Sequence, residues 1–208
     1  MNESITLQRQ SNMSKGIFFL LWIGINIVGW AAWFGFSSMP IIVDAPIQSS
    51  KFLSYVGLFI VGGVLGVLQW LLLKREFPIA WYEWTILTIV GFGVGLYSLI
   101  WAALRDNYIV PSPPGSPILE WDPLLGGALL GLALGCCQGV VWRPRFDRVI
   151  LWIVFNVMGW SLGMFLPQLI AFQLGYASTP WLSTLFPVVF AAVVTGIGLV
   201  WFLGGQYE

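Results

Sequence analysis

The chain has 208 residues, 58% of them hydrophobic and 9% charged, with a mean hydropathy of +0.86. A soluble domain carries about 25% charged residues, so this composition excludes a water-covered surface and favours a polytopic membrane protein. Nine Lys and Arg balance nine Asp and Glu, which leaves no basic surplus for nucleic acid, and the absence of histidine excludes His-ligated haem, most catalytic zinc sites and His-based triads or proton shuttles.

A polar segment, residues 1–16, is expected to lie in the cytoplasm. Residues 17–36 are apolar for a full membrane span. A secretory h-region is only about 7–15 residues long and precedes a small-residue cleavage site, so this run reads as a retained first helix. Five more runs follow, near 52–73, 80–104, 123–142, 149–171 and 182–203. Each reaches the ~20 residues that cross ~30 Å of hydrocarbon. None alternates with a period of two, so helix is the expected form. The fold class is therefore all-α: a polytopic membrane bundle of six transmembrane helices over residues 17–203, with a short cytoplasmic tail, 204–208.

Between the runs lie a fifteen-residue loop, 37–51, and a tight turn at Lys74-Arg75-Glu76-Phe77-Pro78. Residues 105–122 hold Pro111, Pro113, Pro114 and Pro117 and read as an extended segment. A second tight turn is expected at 143–148, and 172–181 is nearly uncharged. With six spans, Arg9, Lys15, Lys74, Arg75, Arg143, Arg145 and Arg148 fall on the side of the N-terminus. Only Lys51 and Arg105 fall on the other. Loops rich in Lys and Arg stay cytoplasmic, so both termini and both tight turns are expected there. Glu83, beside Trp81 and Trp84 at that interface, is expected to pair with Lys74 or Arg75.

Asn26-Ile27-Val28-Gly29-Trp30 is nearly copied at Asn156-Val157-Met158-Gly159-Trp160, and Thr88-Ile89-Val90-Gly91-Phe92 is a weaker third version. The second and fourth runs carry glycines and then a glutamine, whereas the sixth carries Gly196 and Gly198 but no glutamine and no basic end. Gly66 precedes Gln69 and Gly135 precedes Gln138, and a basic residue follows each glutamine at five positions, Lys74 and Arg143. Repeated two-helix hairpins account for this pattern. Three such hairpins is one arrangement and two three-helix halves is another. Glycines four apart, notably Gly127, Gly131 and Gly135, let helix backbones approach closely in lipid. The alternative use of such a face is a smooth wall for a flat ligand.

Gly66-Val67-Leu68-Gln69-Trp70-Leu71-Leu72-Leu73-Lys74-Arg75, followed by Trp81, Trp84, Gly91 and Gly95, resembles a repeated hairpin in small multi-pass membrane proteins of cyanobacteria. The match covers about a third of the chain well and the rest loosely. Lys74 stands where arginine is usual, Gly91-Phe92 replaces Gly-Trp, and the second copy reads Cys137-Gln138-Gly139. The group has no assigned activity. The resemblance implies architecture and a photosynthetic setting, in the cytoplasmic or thylakoid membrane, and transfers no site residue.

No Asp, Glu, Lys or Arg falls in the middle of a run, which weakens ion-coupled transport. Paired carboxylates, a nucleophile elbow, a zinc helix motif and a phosphate-binding glycine loop are all missing from the sequence. Adjacent Cys136 and Cys137 sit in an apolar run and are expected to be inert. An enzyme is therefore not expected. Neutral polar residues inside the runs are the remaining pointers: Asn26, Gln69, Gln138, Asn156, Ser161, Gln168 and Thr195. Each amide can simply hydrogen-bond a neighbouring helix. A sharper reading makes Asn26, Trp30, Gln69, Gln138, Asn156 and Trp160 a ligand-binding set. The amides would hold the polar end of a lipid, carotenoid or chlorophyll between indole walls, or ligate a chlorophyll magnesium through oxygen. The expected role is an accessory, assembly or scaffold subunit of a larger membrane complex, with the lipid bilayer and protein subunits as partners and no nucleic acid. The alternatives are a small-molecule carrier or channel, or a pigment- or lipid-binding protein.

Overall fold

The structure, a computed structural model, describes residues 13–37, 47–109, 122–174 and 180–204. The described residues contain six long helices and no strand. They are α1 (Lys15–Ser37), α2 (Ile47–Leu73), α3 (Trp81–Ile109), α4 (Asp122–Gly139), α5 (Phe146–Leu174) and α6 (Pro180–Gly204). A 3-10 helix, Val140–Arg145, joins α4 to α5. Four helices are long and apolar enough to cross a membrane, through Lys15–Ala32, Pro123–Trp142, Arg148–Ile170 and Leu185–Leu203. In α2 the described apolar stretch is shorter, Phe59–Leu73.

The helices overrun their hydropathic limits at several ends. The backbone of α2 begins at Ile47, so Lys51 belongs to a helix rather than to the expected loop, and α3 runs through Arg105 to Ile109. A hydropathy reading stops at the first charge, whereas a helix needs only continued backbone hydrogen bonding. The tight turn expected at 143–148 is built from helix. There α4 tightens into the 3-10 helix after Gly139 and passes directly into α5. Pro144 has no N–H to give an α-helix, and a short 3-10 stretch closes the gap between two helices. Residues 1–12, 38–46, 110–121, 175–179 and 205–208 lie outside the described residues. The expected N-terminal segment, proline-rich segment and tail fall mostly there.

Each helix packs on its neighbours in the chain, and α1 also packs on α6. The helices thus close into a ring. Neighbours run antiparallel. Gly62 meets Ile89 and Gly66 meets Thr85. Gly91 meets Leu134 and Gly95 meets Leu130. Gly159 meets Ala191 and Gly163 meets Pro187. Antiparallel order brings the start of α1, the turn at 74–80, the α4–α5 junction and the end of α6 to one end of the bundle. Lys15, Lys74, Arg75 and Arg148 gather there.

The glycines set the direction of packing around this ring. Gly29 of α1 faces Leu65 of α2, and Gly62 and Gly66 of α2 face α3. Gly91 and Gly95 face α4, Gly127, Gly131 and Gly135 face α5, Gly159 and Gly163 face α6, and Gly196 of α6 faces Phe19 and Trp22 of α1. The smooth faces are therefore filled by helices rather than held open. The α4–α5 seam is the closest. A Cβ on Gly127 or Gly131 would collide with the backbone of Trp160 or Asn156, and one on Gly135 would lie 2.8 Å from the Ile153 Cα.

The exterior is apolar on every helix, with Leu20, Ile60, Ile86, Leu125, Ile150 and Ile197 all exposed. A water-soluble monomer rarely exposes contiguous apolar surface on this scale. At the end that gathers the basic residues, Arg148 donates to the Phe202 carbonyl at 2.9 Å and satisfies the C-terminal turn of α6. Lys74 places its ammonium 4.4 Å above the Trp70 ring. Glu83 is exposed, and among the described residues no ion pair joins it to Lys74 or Arg75, contrary to expectation. The turn between α2 and α3 is held by its own backbone and by the Trp70 indole, which donates to the Ile79 carbonyl.

Candidate functional site

Three tryptophans stand four residues before a polar side chain, one on each odd-numbered helix: Trp22 before Asn26, Trp84 before Thr88, and Trp152 before Asn156. A four-residue step stacks one side chain over the next on a helix face. Each polar side chain turns back to the tryptophan's own carbonyl. Asn26 Nδ2 donates to Trp22 O at 2.8 Å, Thr88 Oγ1 to Trp84 O at 2.8 Å, and Asn156 Nδ2 to Trp152 O at 2.9 Å.

The even-numbered helices supply the cross-links. Gln69 Nε2 donates to Asn26 Oδ1 at 3.0 Å, and Gln138 Nε2 donates to Thr88 Oγ1 at 3.0 Å. Indole donors add two more links. Trp84 Nε1 donates to Gln69 Oε1 at 3.1 Å, and Trp22 Nε1 donates to Thr195 Oγ1 at 3.0 Å. The Thr195 hydroxyl in turn donates to the Ala191 carbonyl at 2.7 Å. The result is a belt of Asn26, Gln69, Thr88, Gln138, Asn156 and Thr195, one from each helix. All are neutral, and all but Asn26 are buried.

Aromatic rings lie on both sides of the belt. On one side Trp30, Phe92 and Trp160 form a near-equilateral triangle, with centroid separations of 6.3, 5.9 and 6.2 Å. On the other, Trp152 lies 6.3 Å from Trp22 and 6.0 Å from Trp84, and Trp142 lies within 6.2 Å of both Trp84 and Trp152. Edge-to-face pairs at these separations contribute about 0.5–1.5 kcal/mol each beyond area burial. Phe18, Leu72, Leu73, Phe77, Leu199 and Phe202 complete this second layer.

The structure brings the expected set together. Asn26, Gln69, Gln138, Asn156 and Trp160 all line one central cavity, and Trp30 packs on Trp160 just beyond it. The cavity measures about 20 Å³. On the same measure one water needs about 10–15 Å³, and sites for drug-sized ligands run to about 300–1,000 Å³. The belt encloses room for a molecule the size of water. Ser161 is buried at the α4–α5 seam, its Cα opposite Gly127, and Gln168 is half-buried; neither lines the cavity.

Trp22 and Trp152 are absent from the residues singled out in the sequence, Thr88 enters only as the head of the third copy, and Trp84 only as an interfacial ring, whereas it is fully buried. The signal that finds them is the recurring tryptophan four residues ahead of the polar position. The copied Asn26-x-x-Gly29-Trp30 segment divides its residues between two directions. Asparagine and tryptophan turn to the axis, while the glycine turns to the next helix. Among the described residues, buried Trp142 Nε1 and Trp152 Nε1 have no hydrogen-bond partner. Among the described residues no group of three His, Cys, Asp or Glu is placed to hold a metal. Compared with known proteins, the chain matches no family model, no curated protein and no solved structure.

Proposed function

We propose that the chain is a non-enzymatic integral membrane protein that serves as an accessory, assembly or scaffold subunit of a larger membrane complex. The observation that carries this reading is the direction in which its chemistry points. The hydrogen-bonding side chains turn inward and largely satisfy one another, leaving a cavity of about 20 Å³, while the outside offers apolar surface on all six helices. What such a bundle has left to present is its lipid-facing and partner-facing exterior.

Within this proposal all six helices cross the bilayer, and three two-helix hairpins repeat around the ring. The repeated tryptophan-to-polar step and the matched glutamines support the repeat. Both termini face the cytoplasm, in keeping with the gathering of Lys15, Lys74, Arg75 and Arg148 at one end. The photosynthetic setting rests on the resemblance of the Gln69 hairpin alone. A bound chlorophyll, carotenoid or lipid would lie on the exterior, because the belt is an order of magnitude too small for one.

Mild detergent extraction followed by native gels is expected to show the chain in a band well above its free mass, with defined companions. A sharp band at the free mass under every mild detergent would overturn the reading. One observation favours a second role, passage of a small neutral solute: the polar belt sits on the ring's axis between two aromatic layers. Stopped-flow shrinkage of liposomes holding the purified protein separates the two. Permeation of water or urea above that of empty liposomes would place the second reading ahead of the first.

A further inference from the structure

The central cavity has an origin in the sequence register of α6. In α2, Leu65 precedes Gln69 by four residues, and in α4, Leu134 precedes Gln138 by four. In α6 the same two levels carry Ala191 and Thr195. All six of these residues line the cavity. A leucine and a glutamine are each larger than the alanine and threonine that replace them, and the missing side-chain volume falls on the axis.

The hydrogen bonding is interrupted at the same place. Gln69 and Gln138 each reach the polar residue of the preceding helix, Asn26 and Thr88. Thr195 is too short to do so for Asn156, and its one proton already goes to Ala191 O. Trp152 lines the cavity and is 1% exposed, yet its indole N–H is the unpartnered member of a series. Trp84 and Trp22 each donate to the even-numbered helix before them in the ring. A buried donor without a partner costs about 1–3 kcal/mol, and a polar void of this size is where a bound water recovers it.

We propose that the belt is a binding site for one water molecule, or another neutral hydrogen-bonding molecule of that size, created by Thr195 and Ala191. The guest donates to Asn156 in place of the absent third glutamine amide, and it also serves the Trp152 indole, which Gln138 does not take up as Gln69 takes up that of Trp84. It accepts from the Trp152 indole and meets the carboxamides of Asn156 and Gln138. The site stands independently of the scaffold role.

X-ray radiolytic labelling of the detergent-solubilised protein tests this, because hydroxyl radicals born from a buried water oxidise the side chains beside it. Trp84 is the internal control, since it is fully buried in the same aromatic layer but does not line the cavity. In the wild type, Trp152 is expected to be oxidised several-fold faster than Trp84. Thr195→Gln supplies the missing amide, and Ala191→Leu fills the void with the side chain that α2 and α4 already carry. Either variant that melts near the wild-type temperature is expected to bring the Trp152 rate down to that of Trp84. Equal rates for Trp152 and Trp84 in the wild type would overturn the proposal whether or not the variants fold. So would an undiminished Trp152 rate in a folded variant.

Discussion

Gly131→Ala is expected to destabilise the protein by about 3 kcal/mol or more, at the severe end of overpacking substitutions. The added methyl would meet the Asn156 carbonyl, with the Val157 Cα only 2.7 Å away. These are backbone atoms of α5, so no rotamer change relieves the overlap and the two helices must separate. Separation along this seam withdraws Asn156 from the belt and Trp160 from the aromatic triangle. Gly24→Ala is the matched control. Nothing lies within 4 Å of a Cβ there, so the change is expected to be neutral or to stabilise by up to about 1 kcal/mol through helix propensity. Unfolding by titration with sodium dodecyl sulfate in mixed micelles measures both. Equal effects of the two substitutions would refute the close α4–α5 approach.

Gln69→Leu is the second large effect. The substitution nearly conserves volume but removes both atoms that join three helices. Asn26 Oδ1 loses its donor, and Trp84 Nε1, on a fully buried side chain, loses its acceptor. Interhelical hydrogen bonds in membranes average only about 0.6 kcal/mol, while an orphaned buried group costs about 1–3 kcal/mol. The orphaned indole decides the outcome, and about 2 kcal/mol is expected. Gln138→Leu should cost about half of that on the same grounds. It deprives Thr88 of one donor and leaves the Thr88 hydroxyl still bonded to Trp84 O. Tryptophan fluorescence during the same titration reports the difference. A larger loss for Gln138→Leu than for Gln69→Leu would contradict the observed circuit.

The six helices are legible in the sequence because unbroken apolar runs near twenty residues leave no other backbone state in lipid. Their ends are less so. Lys51 and Arg105 halt a hydropathy reading but not a helix, and Pro144 gives the expected tight turn the form of a 3-10 junction. The copied Asn-x-x-Gly-Trp segment marks the axis, since Asn26, Asn156, Trp30 and Trp160 all come to the ring's centre. It does not disclose which residues they meet. A bond such as Gln69 to Asn26, or Trp22 to Thr195, joins positions 43 and 173 residues apart. Only the order of helices around the ring brings them together. The cavity is likewise invisible until α6 is seen to carry Ala191 and Thr195 at the levels of Leu65 and Gln69.

The most direct test concerns closure of the ring between α1 and α6, on which the belt depends. Gly196 lies against Phe19, so that a Cβ at position 196 would stand 3.0 Å from the edge of the Phe19 ring. In a chain with Cys136 and Cys137 replaced by alanine, Phe19→Cys with Gly196→Cys is treated with a short bifunctional thiol reagent in native membranes. An intramolecular cross-link is expected, while Phe19→Cys with Val90→Cys, on the outward face of α3, is expected to give none. Efficient cross-linking of the second pair with none in the first would show that α1 does not close on α6.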